Sequence, residues 1–167
     1  MDQPPKSDLE KEPEVVEVSQ FDVWKVIKPG TIGVTTGLGV CFGIVIYNPE
    51  TKYAIVGHLV SPKDTTDLTD ILEKAKKLSK SLGKMKAYVG GNTLESENAP
   101  DFKADYENRK FVENKLHESG FQTIKIKYAN LIETTEMRID TRTGEVEYIK
   151  HDDIEDVWSR QDEDEEK

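Results

Sequence analysis

The sequence predicts a single α/β domain in which mostly antiparallel strands combine with two main helices. Short apolar runs joined by turns indicate two hairpins, at 41–47 with 52–58 and at 136–140 with 145–149. Two longer stretches, 68–82 and 104–118, repeat apolar residues at helical spacing. The length of 167 residues suits one domain with a buried core.

Short strands are also expected before the first hairpin. Residues 21–27 alternate between apolar and polar side chains, which is typical of a half-buried strand. Residues 31–35 should form a second strand that leads into a glycine-rich loop, and 15–18 suit an edge strand. Both faces of the first hairpin are apolar, so we expect it to be covered on both sides.

The remainder of the chain alternates helices with strands. Thr66 or Asp67 should cap the first helix and Gly83 should end it, while Gly120 should end the second. The other expected elements are strands at 84–89 and 121–128, a tight turn at Gly90, Gly91 and Asn92, and a short acidic helix at 152–160.

The negative charge lies in the two ends of the chain. Of the net charge of −10, residues 1–18 carry −4 and residues 152–167 carry −7, which leaves the middle at +1. We therefore expect an acidic, disordered segment at 1–18, a folded domain at 19–151 and an acidic tail at 152–167. Without a basic patch a nucleic-acid partner is not expected.

The single cysteine, Cys41, excludes an internal disulfide and suits a reducing cytoplasm. One cysteine and three scattered histidines do not supply a metal-ligand set, so no metal and no cofactor are expected. No stretch approaches the roughly 18 apolar residues of a membrane span, and no signal peptide is recognisable at the N-terminus, so membrane insertion is not expected.

The first hairpin predicts a meeting of Cys41 with a histidine. Its connection, 48–51, suits a type I turn with Asn first and Pro49 second. If the hairpin is symmetric about Pro49 and Glu50, Cys41 lies directly opposite His58. Directly opposed residues have Cβ atoms about 4.5–5.5 Å apart, so a thiol and an imidazole would be neighbours there. A register slip of one residue would remove this pairing.

The segment 34–62 resembles the chemoreceptor glutamine deamidases, the CheD family of bacterial and archaeal chemotaxis. The family signature is a Thr, then Gly-Leu-Gly-Ser-Cys, an apolar strand, an Asp-Pro-type turn and a His before Leu-Pro. Here Thr35, the run 37–41, the turn at Asn48 and His58 occupy the matching places. Fainter similarity extends over about residues 22–150.

This resemblance implies a compact sandwich of sheets with two helices, shared with the catalytic domains of cytotoxic necrotizing factor toxins. It also implies that Cys41 is the nucleophile, His58 the general base and Thr35 the residue that orients the histidine. The implied reaction is hydrolysis of glutamine side chains of a protein through a thioester. The implied partners are a protein substrate, such as the chemoreceptor cytoplasmic domain, and other chemotaxis proteins, in the cytoplasm.

Glycines around Cys41 suit the rest of such a site. The loop of Gly37, Gly39 and Val40 would offer backbone N–H groups to the oxyanion, because glycine lets a backbone approach a ligand closely. Gly90, Gly91 and Asn92 would form part of the pocket wall, if they do more than turn the chain.

Two differences from the family pattern keep other interpretations open. Val40 replaces the family's Ser, and residues 128–135 lack its Gly-Gly pair and Arg. One alternative is a catalytically inactive protein-binding module, in which Cys41 is a small buried apolar residue and His58 a structural histidine. Another is a deamidase directed at a protein other than a chemoreceptor.

Overall fold

The chain folds into two sheets and two helices. The computed structural model describes residues 12–94, 97–130 and 133–152. The strands are β1 (Val15–Glu17), β2 (Trp24–Ile27), β3 (Ile32–Leu38), β4 (Phe42–Tyr47), β5 (Ala54–Leu59), β6 (Lys86–Gly91), β7 (Thr123–Tyr128), β8 (Glu133–Asp140) and β9 (Glu145–Asp152). The helices are α1 (Asp67–Leu78) and α2 (Phe102–Ser119), with short 3-10 turns at Pro62–Asp64 and Leu82–Lys84.

One sheet has four strands in the order β1-β3-β8-β9, and the other has five in the order β2-β5-β4-β6-β7. Only β1 with β3 and β6 with β7 pair in parallel. All other neighbours are antiparallel. The predicted α/β fold class, a sandwich of mostly antiparallel sheets with two helices, is therefore confirmed.

The five-stranded sheet lies between two apolar layers. On one face, alternate residues of β4 such as Ile44 and Ile46 pack with apolar side chains of α1 and α2, including Ile71 and Leu116. On the other face, the intervening residues pack with side chains of the four-stranded sheet. The prediction that the β4–β5 hairpin is covered on both sides is confirmed, and all twelve of its strand residues are buried.

The first hairpin forms where it was predicted, but its register differs. Gly43 lies opposite His58, and Tyr47 lies opposite Ala54. The prediction that Cys41 lies directly opposite His58 is wrong. The connection is longer because a type I turn does not match the twist of a two-residue hairpin. Lys52 takes a left-handed conformation, with φ of 65°, and lengthens the loop by two residues.

Two predicted boundaries also move. Strand β2 begins at Trp24 rather than at 21, because Ser19 and Asp22 hydrogen-bond each other in a turn that leaves Phe21 87% exposed. Helix α1 ends at Leu78 rather than near Gly83. There the Ser79 hydroxyl accepts a hydrogen bond from the Ser81 N–H, which competes with continued helix.

Gly90 and Gly91 lie within strand β6, so the tight turn predicted for them is wrong. The second helix, the 121–128 strand, the second hairpin and the edge strand at the N-terminus are confirmed. Residue 152 ends β9, and the rest of the predicted acidic helix lies outside the described residues. The domain boundaries at 19 and 151 stay predictions.

Candidate active site between the two sheets

His58 is held by a hydroxyl from the opposite sheet. Thr35 Oγ1 lies 2.9 Å from His58 Nδ1, and the same oxygen lies 2.7 Å from the carbonyl oxygen of Val18. A carbonyl can only accept, so the single hydroxyl hydrogen goes to Val18. Thr35 therefore accepts from Nδ1–H, which assigns the imidazole lone pair to Nε2. The geometry sets a tautomer that can accept a proton at Nε2.

Cys41 lies in the same layer as His58. It is the last residue of the loop that carries the chain from β3 in one sheet to β4 in the other, and it packs against the apolar cluster between the sheets. Gly43, two residues later, is opposite His58. Cys41 directly precedes β4, and continuing the register by one residue makes it a diagonal neighbour of His58 on the inter-sheet face, a relation with typical spacings of about 7–8 Å.

Burial shifts both groups toward their neutral forms. Desolvation lowers the pKa of His58 from its usual value and raises the pKa of the Cys41 thiol. His58 is 5% exposed, whereas Cys41 is only partly buried. The resting pair at neutral pH is therefore a thiol and a neutral imidazole, and formation of a thiolate requires transfer of the thiol proton.

The loop that carries Cys41 is fixed through its carbonyl groups. Asn92 N–H donates to the Cys41 carbonyl at 2.8 Å, and the Asn92 side-chain amide donates to the Val40 carbonyl at 2.8 Å. Thr93 N–H donates to the Gly39 carbonyl at 2.8 Å. Three consecutive carbonyls are thus occupied by the segment that follows β6.

Arg109 of α2 completes this support and was missed by the sequence analysis. Its guanidinium donates to both the side-chain and the backbone oxygen of Asn92. It also lies over the ring of Tyr128, 3.8 Å from the ring centre. Burial lowers the pKa of Arg109 from its usual value. The available signal was an arginine three residues before Val112, on the inward side of the helix.

The carbonyl groups of this loop are hydrogen-bonded, whereas some of its backbone N–H groups are not. Gly39 N–H donates to the Gly37 carbonyl at 3.1 Å. Within the described ranges, the N–H groups of Val40 and Cys41 have no hydrogen-bond partner in the chain. Of the loop residues predicted to bind an oxyanion, Gly39 therefore has its N–H group occupied, whereas Val40 offers an N–H group without a partner in the described chain, as does Cys41.

Gly91 permits a close approach of this loop. A Cβ atom there would lie 2.7 Å from the Cys41 carbonyl oxygen and 2.7 Å from Leu38 Cβ. Its φ of 79° is also unfavourable for other residues. The structure thus brings Gly91 and Asn92 against the Cys41 loop, while Gly90 lies under the ring of Tyr148.

The segment that follows His58 is held from the second helix. Asn108, buried in α2, accepts a hydrogen bond from the Lys63 N–H at 2.8 Å. Lys63 also pairs with Glu107 at 2.8 Å. Helix α2 therefore supports both chain segments of the site, through Arg109 for the cysteine loop and Asn108 for the segment after the histidine.

Two other features, a metal-ligand cluster and a membrane-spanning helix, are not found among the described residues. In the described part of the chain, no three His, Cys, Asp or Glu side chains are grouped so that they could hold a metal ion. Neither helix there has the length and apolar character needed to cross a membrane.

A curated relative shares part of this sequence. The chain is 38% identical over 68 residues to the chemoreceptor glutamine deamidase CheD of Bacillus licheniformis. The matched region covers 41% of this chain, and it spans only 40% of that relative. No protein-family model matches the chain. The similarity is therefore partial and points to a CheD-like relationship.

Two crystal structures are more distantly similar. The hypothetical protein YfiH of Bacillus licheniformis has 10% identity and a TM-score of 0.48, over 70% of this chain and 61% of its own. The DUF152 protein NMB0706 of Neisseria meningitidis has 10% identity and a TM-score of 0.42, over 68% of this chain and 63% of its own. Such low TM-scores support no inference about activity.

Proposed function

We propose that this protein is a cysteine-dependent amidohydrolase that converts glutamine side chains of a protein to glutamate. The observation that carries the proposal is the hydrogen bond from His58 Nδ1–H to Thr35, which leaves Nε2 free to accept a proton on the face that also carries Cys41. The partial similarity to a chemoreceptor glutamine deamidase supports the choice of a carboxamide substrate.

The proposed reaction begins with two neutral groups. His58 Nε2 takes the thiol proton as Cys41 Sγ attacks the carboxamide carbon. The backbone N–H groups of Val40 and Cys41 would donate to the oxyanion of the tetrahedral intermediate. The C–N bond then breaks, and the nitrogen leaves as ammonia with the proton that His58 held.

The second half of the reaction uses the same histidine. His58 removes a proton from water, the hydroxide attacks the thioester carbon, and the carboxylic acid leaves as the C–S bond breaks. Cys41 regains its proton from His58, so the enzyme returns to its initial state. Thr35 is a positioning residue in this scheme, because it acts through the imidazole to which its hydroxyl is hydrogen-bonded.

The first test is incubation with a glutamine-containing chemoreceptor cytoplasmic fragment, followed by ammonia release and mass spectrometry. Cys41→Ala should abolish conversion, and His58→Ala should lower kcat by about 10²–10⁴-fold. His117→Ala, which removes an exposed histidine, is the matched control and should leave the rate unchanged. Full activity of Cys41→Ala would refute the proposal.

Alkylation separates the chemistry from the choice of substrate. Because burial raises the thiol pKa, the rate of Cys41 alkylation should still be rising near pH 9. If the protein converts another glutamine-containing protein but does not convert the chemoreceptor fragment, the amidohydrolase activity stands and the chemoreceptor is excluded as its substrate. If the Cys41 thiol does not react with an alkylating reagent at any pH up to about 9, the result would instead favour the inactive binding module.

A further inference from the structure

Thr135 carries a buried hydroxyl without a hydrogen-bond partner in the described part of the chain. Its side chain, in β8, is 3% exposed, and Oγ1 is shielded from solvent. A buried hydroxyl that makes no hydrogen bond is less favourable than a methyl group of the same shape. Buried hydroxyl groups in proteins normally make a hydrogen bond, and the described chain supplies no partner for this one.

The layer that contains Thr135 can be located from facing rows of residues. One row runs across β3, β8 and β9, and the facing row runs across β5, β4 and β6. The first row is Thr35, Met137 and Tyr148, and the second is His58, Gly43 and Gly90. Direct contacts join them, since Met137 Sδ is 2.6 Å from a Cβ placed on Gly43 and the Tyr148 ring is 2.8 Å from one placed on Gly90.

The next row toward the end of the sandwich contains Thr135. It pairs with Leu38 on β3 and lies two residues before Met137, so it faces the five-stranded sheet. Cys41 lies two residues before Gly43, directly ahead of β4, and packs against the inter-sheet cluster. Contacts of Leu38, the partner of Thr135, show that this row faces Cys41. The Leu38 Cβ is 2.7 Å from a Cβ placed on Gly91, and that position is also 2.7 Å from the Cys41 carbonyl oxygen.

We propose that the Thr135 hydroxyl binds the carboxamide of the substrate while Cys41 attacks it. This assignment rests on the proposed function and adds a substrate-binding residue from the opposite sheet. A hydroxyl both donates and accepts, so it can donate to the carboxamide oxygen or accept from the amide nitrogen. The hydroxyl is free for this purpose because it makes no other hydrogen bond in the described chain.

The test compares three variants of the full chain. Thr135→Val keeps the shape and removes the hydroxyl, and Thr135→Ser keeps the hydroxyl. Tyr148→Phe removes a second buried hydroxyl without a partner among the described residues, one row farther from Cys41. We expect Thr135→Val to fold with undiminished stability and to lose about 3–10-fold in kcat/KM, the range for one hydrogen bond. The other two variants should retain the rate.

A second measurement does not depend on turnover. Cys41 is alkylated by iodoacetamide, which has a carboxamide, and by 1-iodopropane, which has neither the carbonyl oxygen nor the amide hydrogens. Thr135→Val should lower the ratio of the two rates about threefold or more, whereas Thr135→Ser and Tyr148→Phe should keep the wild-type ratio.

The outcomes distinguish this inference from the proposed function. If the wild type converts no glutamine protein, the proposed function fails, and the alkylation ratio alone decides the role of Thr135. An unchanged ratio in Thr135→Val would overturn the role. A marked loss of stability in Thr135→Val would also overturn it, because the hydroxyl would then have a partner within the fold.

Discussion

The two faces of the five-stranded sheet bury different kinds of side chain. The helix-side core consists of Leu, Ile, Val, Phe, Ala and Met residues. The layer between the sheets contains a similar apolar cluster, but it also contains His58, Thr35 and Thr135 near the Cys41 end. The helix side is thus a uniformly apolar core, while the polar groups of the inter-sheet layer gather at one end, where we propose that the chemistry takes place.

The two threonines sharpen this comparison. Thr35 and Thr135 lie on adjacent strands and are both almost fully buried. Thr35 Oγ1 is hydrogen-bonded to both His58 and Val18, whereas Thr135 Oγ1 has no partner among the described residues. One hydroxyl is bonded to both the fold and the histidine, and the other is the one that we propose binds the substrate.

The largest effect on stability should come from the helix side. Leu116→Ala empties a fully buried position between α2 and the sheet and should lower the free energy of unfolding by about 2–5 kcal/mol. Denaturant unfolding measures this loss. The alkylation rate of Cys41 in the folded variant should be unchanged, and a changed rate would show that the two faces are coupled.

A smaller loss should follow from removing the support of the cysteine loop. Asn92→Gly tolerates the φ of 51° but loses the side-chain bonds to Val40 and Arg109. We expect about 2–3 kcal/mol, because a hydrogen bond to a charged group is lost. Hydrogen exchange should show greater opening of the loop 38–41, and unchanged protection there would contradict the assigned role. Asn98→Gly, an exposed change of the same type, is the control.

Thr35→Val should cost less stability and change the chemistry more. It leaves the Val18 carbonyl and His58 Nδ1–H without their bonds to the Thr35 hydroxyl, at about 1–2 kcal/mol. The ¹⁵N shifts of His58 should show loss of the single Nδ1–H tautomer, with a fall in kcat. Thr35→Ser should restore both. A wild-type tautomer in Thr35→Val would exclude the positioning role.

The smallest effect should be a dependence of stability on acid pH. Burial lowers the pKa of His58 from its usual 6.5. As pH falls, the unfolded state therefore binds a proton at this histidine at a higher pH than the folded state does. The resulting stability is present above about pH 6.5 and is lost as pH falls toward the lower, folded-state pKa. Unfolding measured from pH 8 to 5 should show this loss, and His58→Gln should lack it. An equal loss in His58→Gln would assign the effect to other groups.

Much of the fold followed from local pattern. The β4–β5 hairpin, the apolar character of both its faces and the span of α2 were all readable because they depend on periodicity in short windows. The register of the hairpin was not readable. It depended on a left-handed Lys52, a conformation that the identity of a lysine does not indicate.

The support of the site was hidden for a different reason. Asn92 and Arg109 are 17 residues apart. Asn92 bonds the Cys41 loop directly, and Arg109 supports it by bonding Asn92, a contact that depends on how α2 packs on the sheet. Thr135 is separated from Cys41 by most of the chain, and they share a layer only because β8 pairs with β3. Such relations are set by sheet order, which no local pattern specifies.

The sequence by itself determined the strands and helices and the candidate residues Cys41, His58 and Thr35, because side-chain periodicity and residue chemistry are local properties. The tertiary structure decided the hairpin register, the diagonal relation of Cys41 to His58, the tautomer of the imidazole and the isolation of the Thr135 hydroxyl. Those features depend on how two sheets face each other, and only the packing of the whole chain fixes that arrangement.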